Sequence, residues 1–394
     1  MGFELAENAE GVVNIKVIGC GGGGCNAVNR MINSGVQGVE FVAANTDLQV
    51  INSSRAEHKI QMGTKLTKGL GAGSDPSVGE RSATESKEEF EQLLQGTDMV
   101  FITAGMGGGT GTGSAPVVAE IAKNMGILTV AIVTKPFDFE GKFKMKNAEE
   151  GIAKLREKVD SLIVIPNEKL KEVSQEKITL LNAFQIADEV LRQGVQSISD
   201  LILTSALINL DFADVSKIMK DAGNAHMGVG RASGKDKAEL AAASAISSPL
   251  LETTIAGATG VIINITASPD IGLDEVDAAS HKVIAAADPN ANIIWGVALN
   301  NDLEDEVIVT VIATGFKPKN APAKAPVVTE TPVAAAPAAT TPVEPPVDLF
   351  APPSVEPEPV TFVPPVTAEE VAVEEEDKDD DFGLDDVFDF FKKK

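Results

Sequence analysis

The apolar positions of this 394-residue chain fall into two rhythms. In the first half, near-continuous apolar runs at Val12–Ile18, Val39–Ala44, Met99–Ile102, Leu128–Val133 and Ser161–Ile165 each end in glycine or polar residues. Helix-like segments lie between them, among them Asn26–Ile32, Val78–Leu94 and Ser114–Ala122. Strands apolar on both faces that alternate with helices predict an α/β fold whose parallel sheet is covered on both sides. In such sheets ligands bind beyond the carboxyl ends of the strands. Gly19–Gly24, Asn45–Asp47, Thr103–Gly113 and Thr134–Glu140 all fall at those ends, so they share one predicted rim.

A second rhythm begins at Ser174. Ile178, Leu181, Phe184, Ala187, Val190, Leu191, Val195, Ile198 and Leu201 recur at spacings of three and four, which predicts one helix to Leu203. Ser174 is its expected N-cap, and its length on the order of 40 Å suits a spine between two domains. A short helix to Lys220 follows Asn209–Asp214, and Gly223–Gly234 reads as a glycine-rich loop. Helices at Lys237–Ile246 and Asp274–Ala286 and strands at Gly260–Thr266, Asn292–Val297 and Glu306–Ala313 then predict an α+β domain with one exposed face.

After Phe316 the pattern stops. Fourteen of the 21 prolines lie beyond it, amid Ala, Val, Thr and Glu, so this stretch is expected to be a disordered linker without a core. Acidic Glu374–Asp381 leads into a segment whose Leu384, Val387, Phe388 and Phe391 share one helical face, the pattern of a peptide that folds on a partner. The expected boundaries are an arm at 1–11, a nucleotide-binding domain at 12–173, the linking helix at 174–203 and the α+β domain at 204–316. The linker at 317–375 and the partner-binding peptide at 376–394 complete the chain.

A formal charge of −25 argues against a nucleic-acid surface and against electrostatic adhesion to anionic lipid. No run reaches the roughly 20 apolar residues of a membrane span, and the N-terminal residues carry no export pattern, so a cytoplasmic protein is expected. Cys20 and Cys25 are the only cysteines, and both sit inside a glycine turn, where they read as small core residues rather than a metal pair. No metal-binding side chains are assigned.

The chemistry concentrates in the glycine loops. A strand, a glycine turn and a helix in succession present free backbone N–H groups at a helix N-terminus, where orphan amides and the helix dipole both attract anions. Thr103–Gly113 has this form, with Gly105, Gly107, Gly108, Gly109 and Gly111 in the turn and Thr110 and Thr112 adding hydroxyls. Gly19–Gly24 repeats it. Neither carries the Lys-Ser/Thr ending of a P-loop, so phosphates are expected on amides and hydroxyls, with Mg²⁺ offsetting their charge. Two cradles on one rim suit a triphosphate. Asp211 and Asp214 admit two readings, a helix N-cap pair or carboxylates that orient an attacking water. If the second holds, their place beyond the spine puts them too far from the loops to serve one subunit's site. A neighbouring molecule would supply them through a head-to-tail contact, which generates a filament unless it closes.

Gly107–Gly113, with Gly21–Asn26, Asn45–Asp47, Pro136–Gly141 and Asn209–Asp214, resembles the tubulin/FtsZ family of GTPases over roughly Val12 to Phe316. The resemblance implies a tubulin-like fold, GTP or GDP in the first domain and GTP-dependent protofilaments of the bacterial division ring at midcell. It implies that Gly21, Gly22, Gly23, Gly24, Cys25 and Asn26 with Gly109–Gly111 contact phosphates and adjoining nucleotide. It places Glu140 at the ribose region and counts Thr134 among the nucleotide-binding residues, as it does Asn45, which ends its strand near where a ribose-binding polar residue would sit. It puts Asn26, Phe184 and Asp188 at the guanine, and Ala72 and Gly73 in a loop that senses the γ-phosphate. Asn209, Asp211 and Asp214 would enter the next subunit's site. Lys144 stands where the family often has arginine, and the peptide 382–394, which would bind membrane-tethering and regulatory division proteins, lacks the family's usual proline. The rival readings are an NAD-dependent dehydrogenase, resting on Gly19, Gly21 and Gly24, and a scaffold that binds nucleotide without hydrolysing it.

Overall fold

A computed structural model describes residues 13–173, 179–203, 211–250, 255–300 and 303–316. The chain divides into two units, Met1–Ala323 and Lys324–Lys394, and every described residue lies in the first. The linker and the C-terminal peptide fall outside the described residues, as do Ser174, Ile178 and Asn209.

Strands β1 (Ile15–Cys20), β2 (Val39–Asn45), β3 (His58–Gln61), β4 (Met99–Gly105), β5 (Leu128–Lys135) and β6 (Ser161–Pro166) alternate with helices. These are α1 (Gly21–Asn33), α2 (Leu48–Ser53), α3 (Thr64–Thr67), α4 (Pro76–Glu85), α5 (Lys87–Leu93), α6 (Thr110–Asn124), α7 (Lys142–Arg156) and α8 (Leu170–Val173). Next come α9 (Leu180–Leu203), α10 (Phe212–Met219), β7 (Gly223–Ser233), α11 (Lys237–Ile246), β8 (Gly260–Ala267), α12 (Leu273–Ala286), β9 (Asn292–Leu299) and β10 (Glu306–Thr314).

All ten strands join one sheet in the order β3-β2-β1-β4-β5-β6-β7-β10-β8-β9. From β3 to β7 every pairing is parallel, whereas β10 runs antiparallel to both β7 and β8. The period-two alternation of side chains divides the apolar strands between two cores. Val17, Phe101 and Val130 face α1 and α9, while their neighbours Ile18, Ile102 and Ala131 face the α4–α7 side. A third core joins α11 and α12 to Val261, Ile263 and Ile265 of β8 and Val307, Val309 and Val311 of β10.

Four expectations are corrected. The spine helix α9 begins at Leu180, after Thr179: the Asn182 N–H donates to Thr179 Oγ1 at 3.3 Å, and the Thr179 N–H donates to Asn182 Oδ1 at 2.5 Å. This reciprocal cap satisfies orphan donors and starts the helix there. Val78–Leu94 is two helices, α4 and α5, broken at Ser86. Gly223–Gly234 is a strand: a Cβ on Gly230 would stand 2.0 Å from the Ala241 carbonyl oxygen, so glycine here lets α11 lie directly on β7. Finally, the polar face of the C-terminal strands is partly covered by α9. Asn264 and Thr310 are buried against α9, Asn264 Nδ2 donating to the Ser197 carbonyl and the Ser197 hydroxyl to Thr310 Oγ1, each at 3.3 Å. A polar position can face another element's hydrogen-bonding groups as readily as solvent.

Candidate functional site: a nucleotide cavity and a distant acid helix

Strands β1 and β4 are neighbours although α1 to α5, with β2 and β3, intervene in sequence, so the strand order reverses between them. That switch point opens a crevice at the carboxyl edge. Helices α1 and α6 start there side by side. A Cβ on Gly21 would stand 2.6 Å from the Gly111 nitrogen, one on Gly24 2.3 Å from the Thr103 carbonyl oxygen, and one on Gly109 2.8 Å from the Asp75 nitrogen. Gly21 and Gly107 also hold φ of +72° and +107°. The sequence needs glycine at these positions because backbone packs on backbone.

The first bond of α6 runs from the Gly113 N–H to the Gly109 carbonyl at 3.1 Å, which leaves the amides of Thr110, Gly111 and Thr112 without helical partners. The Gly107 N–H is held by Thr112 Oγ1 at 2.8 Å, and the Thr46 and Thr110 hydroxyls meet at 2.7 Å. The turn is thus fixed before any ligand arrives.

These elements wall a cavity of about 430 Å³. Its glycine side is Gly22, Gly23, Gly105, Gly108, Gly109 and Gly111 with Thr110, and its other wall carries Asn26, Thr134, Glu140, Lys144, Phe184 and Asp188. Sequence reasoning missed Met106, Pro136, Asn167, Ala187 and Leu191, which also line it. Asn167 has a visible signal: it follows β6 directly, at the same carboxyl edge, and its buried Oδ1 has no hydrogen-bond partner. Such an acceptor is set for a ligand donor.

Phe184 is exposed and stands edge-on to Phe137 and Phe139, at ring-centroid distances of 5.5 and 6.2 Å. Its position is braced while one face stays open to a planar ligand. Glu140 accepts from the Phe137 N–H at 2.9 Å and from Lys144 Nζ at 3.2 Å. Burial pushes the Asp188 carboxyl up to about 6, opposed by the nearby Arg30 guanidinium. Among the described residues no three His, Cys, Asp or Glu side chains converge to hold a metal.

Other expected contacts stand behind the cavity wall. Gly21 and Gly24 pack the two helix starts together, and Cys25 is buried with its Sγ 3.5 Å from the Gly19 carbonyl oxygen. Burial pushes the Cys20 and Cys25 thiols up to about 12, which leaves them inert. Asn45 Oδ1 accepts from the Asp47 N–H at 3.2 Å, and Asp47 caps α2. Ala72 and Gly73 lie in the loop before α4, where Ala72 abuts Gly109. Gly107 and Thr112 shape the turn from within.

Asp211 and Asp214 are exposed at the start of α10. Asp211 occupies the N-cap position, yet its side chain accepts no capping hydrogen bond. Phe212 lines a second hollow together with Gly126, Ile127 and Leu128, at the amino end of β5. The glycine-lined cavity is reached at the other end of that strand, at Thr134. Over that run β5 rises about 20 Å. The acids and the cavity therefore occupy opposite edges of one sheet.

A parallel sheet with a glycine-lined cavity at its switch point, a long spine helix and a second α/β layer define a nucleotide-binding protein of the tubulin type. The Tubulin/FtsZ family GTPase-domain model matches residues 14–175, and the FtsZ family C-terminal-domain model matches 223–317. Among solved structures, an empty dimer of FtsZ from M. jannaschii is 48% identical, with 77% of this chain and 88% of that chain covered and a TM-score of 0.75. A point mutant of that protein gives 47%, 77%, 91% and 0.75. CetZ2 from Haloferax volcanii, a GTPγS-bound protofilament, is 20% identical with a TM-score of 0.65, over 77% of this chain and 94% of that one, and so shares the fold. This chain belongs to the tubulin/FtsZ GTPase family, as the glycine loops implied, and neither family match favours the dehydrogenase reading.

Proposed function

We propose that this protein binds GTP with Mg²⁺ in the 430 Å³ cavity and polymerises head-to-tail, each subunit's acid loop completing the next subunit's site. The orphan amides of Thr110–Thr112, with Gly22 and Gly23, take the phosphates. Mg²⁺ would be held on the bound phosphates and would offset their charge there. Phe184 stacks on the base, while Asp188 accepts from its N1–H and amino groups, with Asn26 and Asn167 alongside. Glu140 and Thr134 border the ribose, and Lys144 supplies a point charge near the phosphates.

The observation that carries the reading is the division of labour across the sheet. The cavity holds no carboxylate at its glycine end, and the exposed, uncommitted acids Asp211 and Asp214 lie at the opposite edge. Phosphoryl transfer needs a positioned water and stabilised charge more than covalent chemistry, which two carboxylates and Mg²⁺ provide once subunits stack. The related M. jannaschii protein is described as a dimer, in line with self-association. Filaments of this kind would build a division ring at midcell in the cytoplasm. The peptide 382–394 would recruit membrane tethers and regulators, without insertion into lipid and without nucleic acid.

The test is phosphate release against protein concentration, with GTP and Mg²⁺, for wild type and Asp214→Ala. The rate per molecule is expected to rise steeply above a threshold and to be lost in the variant while GTP still binds. A concentration-independent rate overturns the shared site, and no release at all returns the protein to the scaffold reading.

A further inference from the structure

Helix α6 begins in the phosphate cradle at Thr110 and ends at the far edge with Lys123, about 20 Å away by helical rise. There the Lys123 ammonium donates to the Val159 carbonyl at 3.1 Å and to Asp221 Oδ1 at 3.1 Å, and it lies 3.4 Å from Asp160 Oδ1. Asp160 is buried and binds several strands of the same joint. Its Oδ2 accepts from the Thr129 N–H at 2.9 Å, its Oδ1 from the Asp221 N–H at 3.4 Å, and its carbonyl from the Gly223 N–H at 2.9 Å. Asp221 holds a left-handed φ of +50° in the turn that closes α10. The last carbonyls of that helix are also occupied, Met219 by the Ser161 hydroxyl at 2.5 Å and Ile218 by Thr314 at 3.2 Å. Helix α10 is thereby fastened at its C-terminal end, and its first turn carries Asp211 and Asp214 exposed while Phe212 packs inward.

We propose that Lys123 is a positioning residue for hydrolysis: through Asp160 and Asp221 it sets the angle at which α10 presents Asp211 and Asp214 to the neighbouring subunit's nucleotide. The inference rests on the proposal that those acids act across the subunit contact. It explains why a half-exposed lysine bridges two segments, Val159–Asp160 before β6 and Asp221 after α10. One rigid rod, α6, then joins the cradle a subunit uses for its own nucleotide to the acids it lends to the next. Misplacing reacting groups by about 1 Å can cost on the order of 100-fold in rate.

The experiment measures steady-state GTP turnover, nucleotide affinity and the assembly threshold for Lys123→Met, Lys123→Arg and Asp221→Gly. Glycine suits the left-handed φ at 221, so that variant removes the Lys123 link to α10 while Asp160 keeps its partner. Lys123→Met and Asp221→Gly are expected to lower kcat about tenfold with KM, GTP affinity and threshold unchanged, and Lys123→Arg to restore most of the rate. Each is then mixed with Asp188→Ala, a subunit weakened in its own cavity but intact in its acids. Turnover should recover in both mixtures, as it should for Asp214→Ala mixed in the same way. Unchanged kcat in Asp221→Gly, or a GTP affinity that falls in step with kcat, overturns the role of Lys123. So does failure of the Lys123→Met mixture when the Asp214→Ala mixture recovers. If the Asp214→Ala mixture fails as well, the acids do not act across the contact, and the proposed function itself falls.

Discussion

At the carboxyl edge of the sheet, the nucleotide cavity is walled largely by main chain: glycine nitrogens at the starts of α1 and α6, held within contact distance by backbone-on-backbone packing. At the amino edge, α10 offers two exposed carboxylates on a helix start with no capping bond to occupy Asp211. The first region is preorganised and tolerates no added atom where backbone packs on backbone, as at Gly21, Gly24 and Gly109. The second presents its acids to solvent, and its far end is fastened by hydrogen bonds to Ser161 and Thr314. A backbone cradle binds polyanions wherever it occurs, whereas exposed acids do nothing until something brings a phosphate and a water to them. On our proposal, the contrast places nucleotide binding within a subunit and hydrolysis at a pair of subunits.

The largest effect is expected where the two regions meet. Asp214→Ala should lower GTP turnover by 10²-fold or more, as removal of a preorganised electrostatic group commonly does, while equilibrium GTP binding stays within twofold of wild type. Turnover that survives the substitution would break the comparison at its centre.

Within the cradle, Gly24→Ala and Gly22→Ala separate folding from binding. A Cβ at 24 meets the Thr103 carbonyl at 2.3 Å, whereas nothing stands within 4 Å of one at 22. Overpacking of this kind costs about 3 kcal/mol, so Gly24→Ala should lower Tm by about 10 °C in thermal unfolding. Gly22→Ala should leave Tm unchanged and weaken nucleotide binding, because its methyl group projects into the cavity.

Asp188 gives a pH signature that the acid helix should lack. Burial raises its carboxyl to about 6, and guanine's donors need the ionised form. GTP affinity should therefore be full above pH 6 and fall as the pH drops through that value, by about tenfold between pH 7 and pH 5. Asp188→Asn should flatten the profile and cost about 10- to 100-fold at pH 7, the range for a lost hydrogen bond to a charged group, as read by fluorescent-nucleotide titration. Adenine nucleotides should lose far less.

The smallest effect is at Lys144. It is half-exposed and paired with Glu140, so Lys144→Arg should tighten GTP binding no more than about threefold through a bidentate contact. A larger gain would mean that this wall, and not the glycine wall, governs affinity.

Much of this was legible before any coordinates. The apolar runs at Val39, Met99, Leu128 and Ser161 begin strands at those same residues, and Lys237–Ile246 is a helix with the boundaries its pattern predicts. Gly22, Gly23, Asn26, Thr134, Glu140, Phe184 and Asp188 do line the cavity. The errors share a cause. His58–Gln61 is a short edge strand with little apolar content, and Gly223–Ser233 carries glycines that ordinarily signal a loop. What makes the second a strand is α11 resting on Gly230, a neighbour the local sequence does not reveal. Asn167 escaped notice because an asparagine after a strand reads as a turn residue, and only its buried, unpartnered oxygen marks it.

The sequence by itself determined most strands and helices, because burial periodicity and glycine chemistry are local. It also marked the glycine turns at the starts of α1 and α6, since a strand–glycine–helix succession yields orphan amides wherever it stands. Only the tertiary structure decided that the ten strands share one sheet and that the polar face of β8 and β10 meets the spine helix. It alone placed Lys123 beside Asp160 and Asp221, which are 37 and 98 residues away along the chain. Those facts depend on which elements meet across long loops, where distance in space bears no fixed relation to distance in sequence.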